Sequence, residues 1–174
     1  MEIVPPGAQR EAPWANGGGT TREIARHEAE GRLLWRLSLA RIVRDGPFSA
    51  FPGLRRILTV VEGAGVALTA PGLDAVVLPG RPLGFPGAPG PAARLVAGPV
   101  AALNLIFDAA RLEADAKAVA GARRADGPGL LWLWPDSAAA PPLPPGGTAL
   151  LAAGEALDLP AGARGVLIGL RVMP

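Results

Sequence analysis

Cysteine and tyrosine are absent from the 174 residues, and histidine and lysine occur once each, as His27 and Lys117. Without cysteine there is no disulfide, thiolate metal site, iron–sulfur cluster or cysteine nucleophile. One imidazole excludes any site that needs two. Serine is scarce, at Ser38, Ser49 and Ser137, and none sits in a nucleophile-elbow setting. The longest uncharged stretch, residues 137–154, is broken by Pro141, Pro142, Pro144 and Pro145, so no bilayer-spanning helix fits there. Acidic Glu2 and the lack of an early apolar segment predict no signal peptide, hence a soluble cytoplasmic protein without membrane contacts.

Charge is also sparse. Charged residues make up 18% of the chain, and 17 Lys and Arg face 15 Asp and Glu, for a net charge of +2. The isoelectric point of about 10.3 reflects the near absence of groups titrating between carboxylates and guanidiniums. No basic stripe appears, so no nucleic-acid partner is expected. What is present is apolar: 49% hydrophobic residues, with 24 Gly and 20 Pro. The glycines and prolines separate short apolar runs as turns separate strands.

Residues 33–43 alternate, with Trp35, Leu37 and Leu39 on one face and Arg36, Ser38 and Ala40 on the other. Residues 20–26 form a second strand candidate, and 56–61, 65–69, 74–78, 94–97 and 100–107 are further β-prone runs. Segment 108–122 has helix-forming composition but strand-like alternation, so both states stay open. The last third adds Leu130–Trp134, 148–152, 155–159 and 165–172, with Trp132 and Trp134 on one strand face. Segments 74–107 and 148–172 echo each other as strand, Gly/Pro loop and strand. The spacing predicts a sandwich or barrel.

Two segments carry candidate chemistry. In Trp14-Ala-Asn-Gly-Gly-Gly-Thr-Thr-Arg-Glu-Ile-Ala25, three glycines permit close backbone approach. Asn16 supplies an amide, Thr20 and Thr21 supply hydroxyls, and Arg22 supplies an anion-binding fork. A phosphate loop would need a following helix and usually a lysine; a strand follows here, so nucleotide binding is rejected. Segment 45–56 sets Phe48 and Phe51 among Pro47, Pro52, Gly46 and Gly53, ahead of Arg55 and Arg56. That pattern predicts a rigid corner in which the two Phe plug a barrel end.

These segments, with Trp35-Arg36-Leu37-Ser38-Leu39-Ala40 between them, resemble the HutD/Ves family of cupin-like proteins. The shared pattern is Trp14…Asn16-Gly17-Gly18-Gly19-x-Thr21-Arg22-Glu23-Ile24, then the Trp35–Ala40 run, then Asp45-Gly46-Pro47-Phe48-Ser49-x-Phe51-Pro52-Gly53-x-x-Arg56. It is dense over residues 14–70 and thinner afterwards. Asn104 in Leu103-Asn104-Leu105 resembles a later family token, but the family's following Arg pair is replaced by Asp108-Ala109-Ala110-Arg111. The resemblance implies an all-β fold of double-stranded β-helix (jelly-roll) barrels in two fused cupin-like halves, residues 1–110 and 111–174, and tips 108–122 toward strand. It also implies a link to histidine utilisation or to a stress response.

The expected function is a metal-free bicupin, without cofactor, that binds a small carboxylate. The resemblance suggests urocanate or a formyl- or formimino-glutamate. Ligand-binding candidates are Asn16, Thr20, Thr21, Arg22, Glu23, Arg36, Ser38, Ser49, Phe51, Arg56 and Asn104. Arg36 and Ser38 share a strand face and can enter one barrel together. His27 is expected on the surface, and catalysis is not expected. Two alternatives stand beside this reading. One is a metal-independent enzyme with Glu23 as base; the other is a filled barrel acting as a protein-interaction scaffold. A homodimer is the allowed assembly.

Overall fold

The computed structural model describes residues 1–8 and 11–173. Its described residues form seventeen strands and no helix. They are β1 (Glu2–Val4), β2 (Glu11–Pro13), β3 (Gly19–Ala29), β4 (Arg32–Ile42), β5 (Gly46–Pro47), β6 (Arg55–Glu62), β7 (Val66–Ala70), β8 (Leu73–Val77) and β9 (Leu83–Pro86). There follow β10 (Ala92–Leu95), β11 (Val100–Phe107), β12 (Leu112–Ala120), β13 (Arg123–Asp126), β14 (Gly129–Leu133), β15 (Thr148–Leu151), β16 (Ala156–Leu159) and β17 (Arg164–Val172). Among the described residues, no helix is long and apolar enough to cross a membrane.

The chain divides into two compact units, Arg10–Ala110 and Met1–Gln9 with Arg111–Pro174. In the first, a six-stranded antiparallel sheet runs β2-β3-β4-β11-β6-β9, and a four-stranded sheet runs β5-β10-β7-β8. Their inner faces meet in one core. Ile42, Leu58, Val60 and Ala102 of the large sheet join Val66, Leu68, Val77 and Ala93 of the small one. β6 and β11 are near-continuous apolar runs, buried on both faces, as central strands of a covered sheet should be. Asn104 is the one polar residue in β11.

The second unit has a five-stranded sheet, β1-β15-β14-β17-β12, and a two-stranded ribbon, β13-β16. Its core gathers Leu131, Leu133, Ala149 and Leu151 from the sheet with Ala125, Leu157 and Leu159 from the ribbon. Strand β12 lies within the segment whose composition favoured helix. It pairs along its whole length with β17, so alternation outweighed propensity. The expected division at residue 110 needs one correction. Glu2–Val4 pairs with β15, from Glu2↔Leu150 to Val4↔Thr148, and so belongs to the unit of the later strands. β9, in a Gly- and Pro-rich stretch read as loop, adds an edge strand beside β6, where a proline is tolerated.

Candidate functional site

A cleft of about 640 Å³ opens in the unit Arg10–Ala110. Residues directly opposite in an antiparallel pair share a face, and the register of the large sheet therefore builds the floor in rows. Ile106 of β11 stands opposite Arg36 on one side and Arg56 on the other. One row on, Asn104 stands between Ser38 and Leu58, with Glu23 opposite Ser38. The floor thus carries two guanidiniums, a hydroxyl and an amide on an apolar sheet.

The floor is desolvated. Arg56 is only 5% exposed, Asn104 7% and Ser38 0%. Arg56 donates from Nε to Asn104 Oδ1 at 3.1 Å and from Nη1 to the Ser49 carbonyl at 3.4 Å. Ser38 Oγ donates to the Asn104 carbonyl at 3.4 Å. Aromatic rings flank the guanidinium. Arg56 Cζ lies 4.9 Å from the Phe48 ring centre, 5.3 Å from Phe85 and 5.6 Å from Phe51. Arg36 Cζ lies 5.4 Å from the same Phe51 ring. Cation–π contacts of this kind soften the burial of a charge without neutralising it. Among the described residues neither arginine makes an ion pair, and the buried Nε of Arg36 has no hydrogen-bond partner. Burial, and next the neighbouring Arg36 charge, lower the pKa of Arg56 from the ordinary guanidinium range to about 10. It stays protonated at neutral pH, two like charges sharing one aromatic platform.

The walls come from two loops. Trp14 Nε1 donates to Thr21 Oγ1 at 2.7 Å, and the Gly18 amide donates to Asn16 Oδ1 at 2.9 Å. Trp14 meets Phe48 edge-on, with ring centres 6.0 Å apart. The second loop is held by Gly87–Pro91: Phe51 N donates to the Gly87 carbonyl at 2.7 Å, and Phe48 N to the Pro91 carbonyl at 2.9 Å. Gly90 is needed here, because a Cβ on it would fall 2.1 Å from the Phe48 carbonyl oxygen.

Of the eleven residues expected at the site, the cleft brings together Asn16, Thr21, Glu23, Arg36, Ser38, Ser49, Phe51, Arg56 and Asn104. Thr20 and Arg22 are a correction. The period of two along β3 turns Thr21 and Glu23 to the cleft and Thr20 and Arg22 to the opposite face of the strand. Thr20 Oγ1 donates to Glu11, and Arg22 Nη2 lies 4.0 Å from Glu11. The plug reading of the aromatic pair is corrected in part. Phe48 is buried in the core and also lines the cleft, whereas Phe51 is half-buried in the cleft wall. Trp14 and Leu58 also line it, although neither was among the ligand-binding candidates; the place of Trp14 in the motif, two residues before Asn16, is the signal that could have found it. His27 is exposed and stacks on Trp35, with ring centres 6.3 Å apart.

Cupin-like folds often hold a metal, and the residues here do not fit one. Two guanidiniums occupy the floor, and no group of three His, Asp or Glu side chains converges among the described residues.

Comparison with known proteins places this geometry in a family. A family model described as HutD matches residues 7–133. An uncharacterized 21.2 kDa protein of the hutC 3' region of Pseudomonas putida is 40% identical over 105 residues, covering 59% of this chain and 55% of that protein. Protein Ves of Citrobacter koseri is 46% identical over 56 residues, 32% of this chain and 29% of that one. The chain thus spans about half, or less, of the length of these curated relatives. The structure of HutD from Pseudomonas fluorescens SBW25, in a formate condition, superposes with a TM-score of 0.84 at 31% identity, covering 99% of each chain.

Proposed function

The chain belongs to the HutD family, and from that premise we propose that its cleft binds a small carboxylate metabolite, without metal or cofactor. One observation carries the reading. Buried Arg56 and half-buried Arg36 converge on Phe51, and neither has a counter-ion among the described residues. Buried charge without a partner is costly. A carboxylate supplies the missing charge and accepts hydrogen bonds from both forks. Asn104 holds the Arg56 Nε edge and the Ser49 carbonyl accepts from Nη1, which fixes the plane of that fork and leaves Nη2 for the ligand.

The family resemblance suggests urocanate or a formyl- or formimino-glutamate as the acid, in histidine utilisation. Two cupin-like halves are part of the proposal. Its support is the division into two units, each with two β-sheets around its own core. The enzyme alternative is weaker, because its base, Glu23, has a side chain 39% exposed and lacks the desolvation a tuned base requires. The scaffold alternative needs a filled barrel, and a cleft of about 640 Å³ with unpaired cations weighs against it.

The test is titration calorimetry with urocanate and its amide. The acid should bind at least about tenfold more tightly, because the amide forfeits a charge-assisted bond of roughly 1.5–3 kcal/mol. Equal affinities would mean that the arginines do not clamp the ligand.

A further inference from the structure

We infer that the ligand of this cleft is amphoteric: its carboxylate meets the Arg36–Arg56 pair, and a cationic N–H group at its other end meets Glu23. The inference rests on the carboxylate reading above and adds the chemistry of the ligand's second pole.

Glu23 is the one carboxylate among the cleft-lining residues. It stands opposite Ser38 on the cleft side of β3. The register then slips between Glu23 and Ala25, a bulge that places Arg26 opposite Arg36. Arg26 consequently forms an ion pair with Glu23, half-exposed and at its outer limit, with Nη1 3.9 Å away and too far for a hydrogen bond. Its other terminal nitrogen is taken by Glu28. The carboxylate of Glu23 therefore retains its acceptor capacity toward the cleft. Its polar neighbours are already engaged as acceptors, Thr21 by the Trp14 indole and Asn16 by the Gly18 amide.

The cleft is consequently a dipole, with two cations on its floor and one anion on the β3 wall. A simple monocarboxylate offers Glu23 no hydrogen-bond donor, and Arg26 gives it only a long, half-exposed ion pair. A second carboxylate beside Glu23 would be repelled. A ligand cation satisfies it. Two strand spacings separate β3 from β11, the strand midway between the two arginines, about 10 Å between backbones, with side chains reaching inward from both ends. The matching ligand carries its charges on a chain or ring spacer rather than on one carbon, as an α-amino acid does.

The experiment compares two near-isosteric acids on the full chain by titration calorimetry: 4-guanidinobutyrate, with a cationic tail, and 4-ureidobutyrate, with a neutral one. We expect the guanidino acid to bind at least tenfold more tightly. Glu23→Gln should bring the two within twofold by weakening only the guanidino acid. Glu23 is part-exposed, so this variant should fold, and an unchanged melting temperature checks it. Equal binding of both acids to the parent, with both lost in Arg36→Ala, would overturn the amphoteric ligand and leave the carboxylate site standing. A preference that survives Glu23→Gln would also overturn it. Failure of both acids and of urocanate to bind at millimolar concentration would overturn the carboxylate reading, and this inference with it.

Discussion

Arg56 shows what a single buried charge does to a site. Its pKa falls to about 10 because burial and the Arg36 charge both oppose protonation. The unfolded chain, where the group keeps its ordinary value, therefore binds that proton more tightly. Charged Arg56 destabilises the unliganded fold at every pH below about 10, and this penalty fades as the pH rises from there toward the ordinary guanidinium range. A bound anion removes part of it. The affinity of 4-guanidinobutyrate, whose guanidinium does not titrate in this range, should be level from about pH 5.5 to 9, above its own carboxyl pKa. It should then fall above about pH 10 as Arg56 deprotonates; calorimetry across that range checks the profile. Arg36→Ala should abolish the ligand-induced rise in melting temperature yet change the stability of the free protein by less than about 1 kcal/mol, because its Nε has no internal partner to lose. Asn104→Asp is the complementary test. Asn104 Oδ1 sits 3.1 Å from Arg56 Nε, so an aspartate there provides an internal counter-ion. Urocanate affinity should drop at least about tenfold, the equivalent of 1.4 kcal/mol, while thermal unfolding shows the variant no less stable than the parent.

At the scale of elements, the site depends on one central strand and on two loops pressed together. β11 supplies the hinge of the floor: Ile106 sets the spacing of the two arginines, and Asn104 sets the orientation of one. The Phe48–Phe51 loop keeps its place because residues 87–91 run against it, backbone to backbone. Gly90→Ala would put a methyl group 2.1 Å from the Phe48 carbonyl, and backbone cannot yield as a side-chain tip can. We expect a loss of at least about 2 kcal/mol in a urea melt, with weaker carboxylate binding in the protein that remains folded. Retention of full affinity would show that the aromatic loop does not need this support.

On the scale of the whole molecule, ligand binding should appear as stability. A ligand at 100 times its dissociation constant adds about 2.7 kcal/mol. For a chain of 174 residues that corresponds to roughly 5–11 °C in melting temperature. A thermal-shift series with urocanate, its amide and sodium formate measures it, and an unshifted transition with every acid would remove the binding function. The net charge of +2 is too small to steer anions from a distance. Affinity should therefore depend on salt far less than binding to an exposed basic surface would, since the paired charges are desolvated.

Alternation by itself determined that residues 33–43 form a strand with Arg36 and Ser38 on one face, because the side-chain period of a strand is fixed at two. The motif run also named most of the cleft: Asn16, Thr21, Glu23, Ser49, Phe51 and Arg56, and with them Asn104, the polar residue in an apolar strand. The period was equally able to exclude Thr20 and Arg22, but only once one of the two faces of β3 was known to be the inner one. Nothing local marks that face, because β3 is part-buried on both sides near the cleft. Pairing across distant segments decided the rest. Arg36 and Arg56 meet because both stand opposite Ile106, some 70 and 50 residues further along the chain, and Glu2–Val4 joins β15 across almost the whole sequence. Such contacts are set by which hydrophobic faces bury one another, a property of the packed core and not of any window of residues.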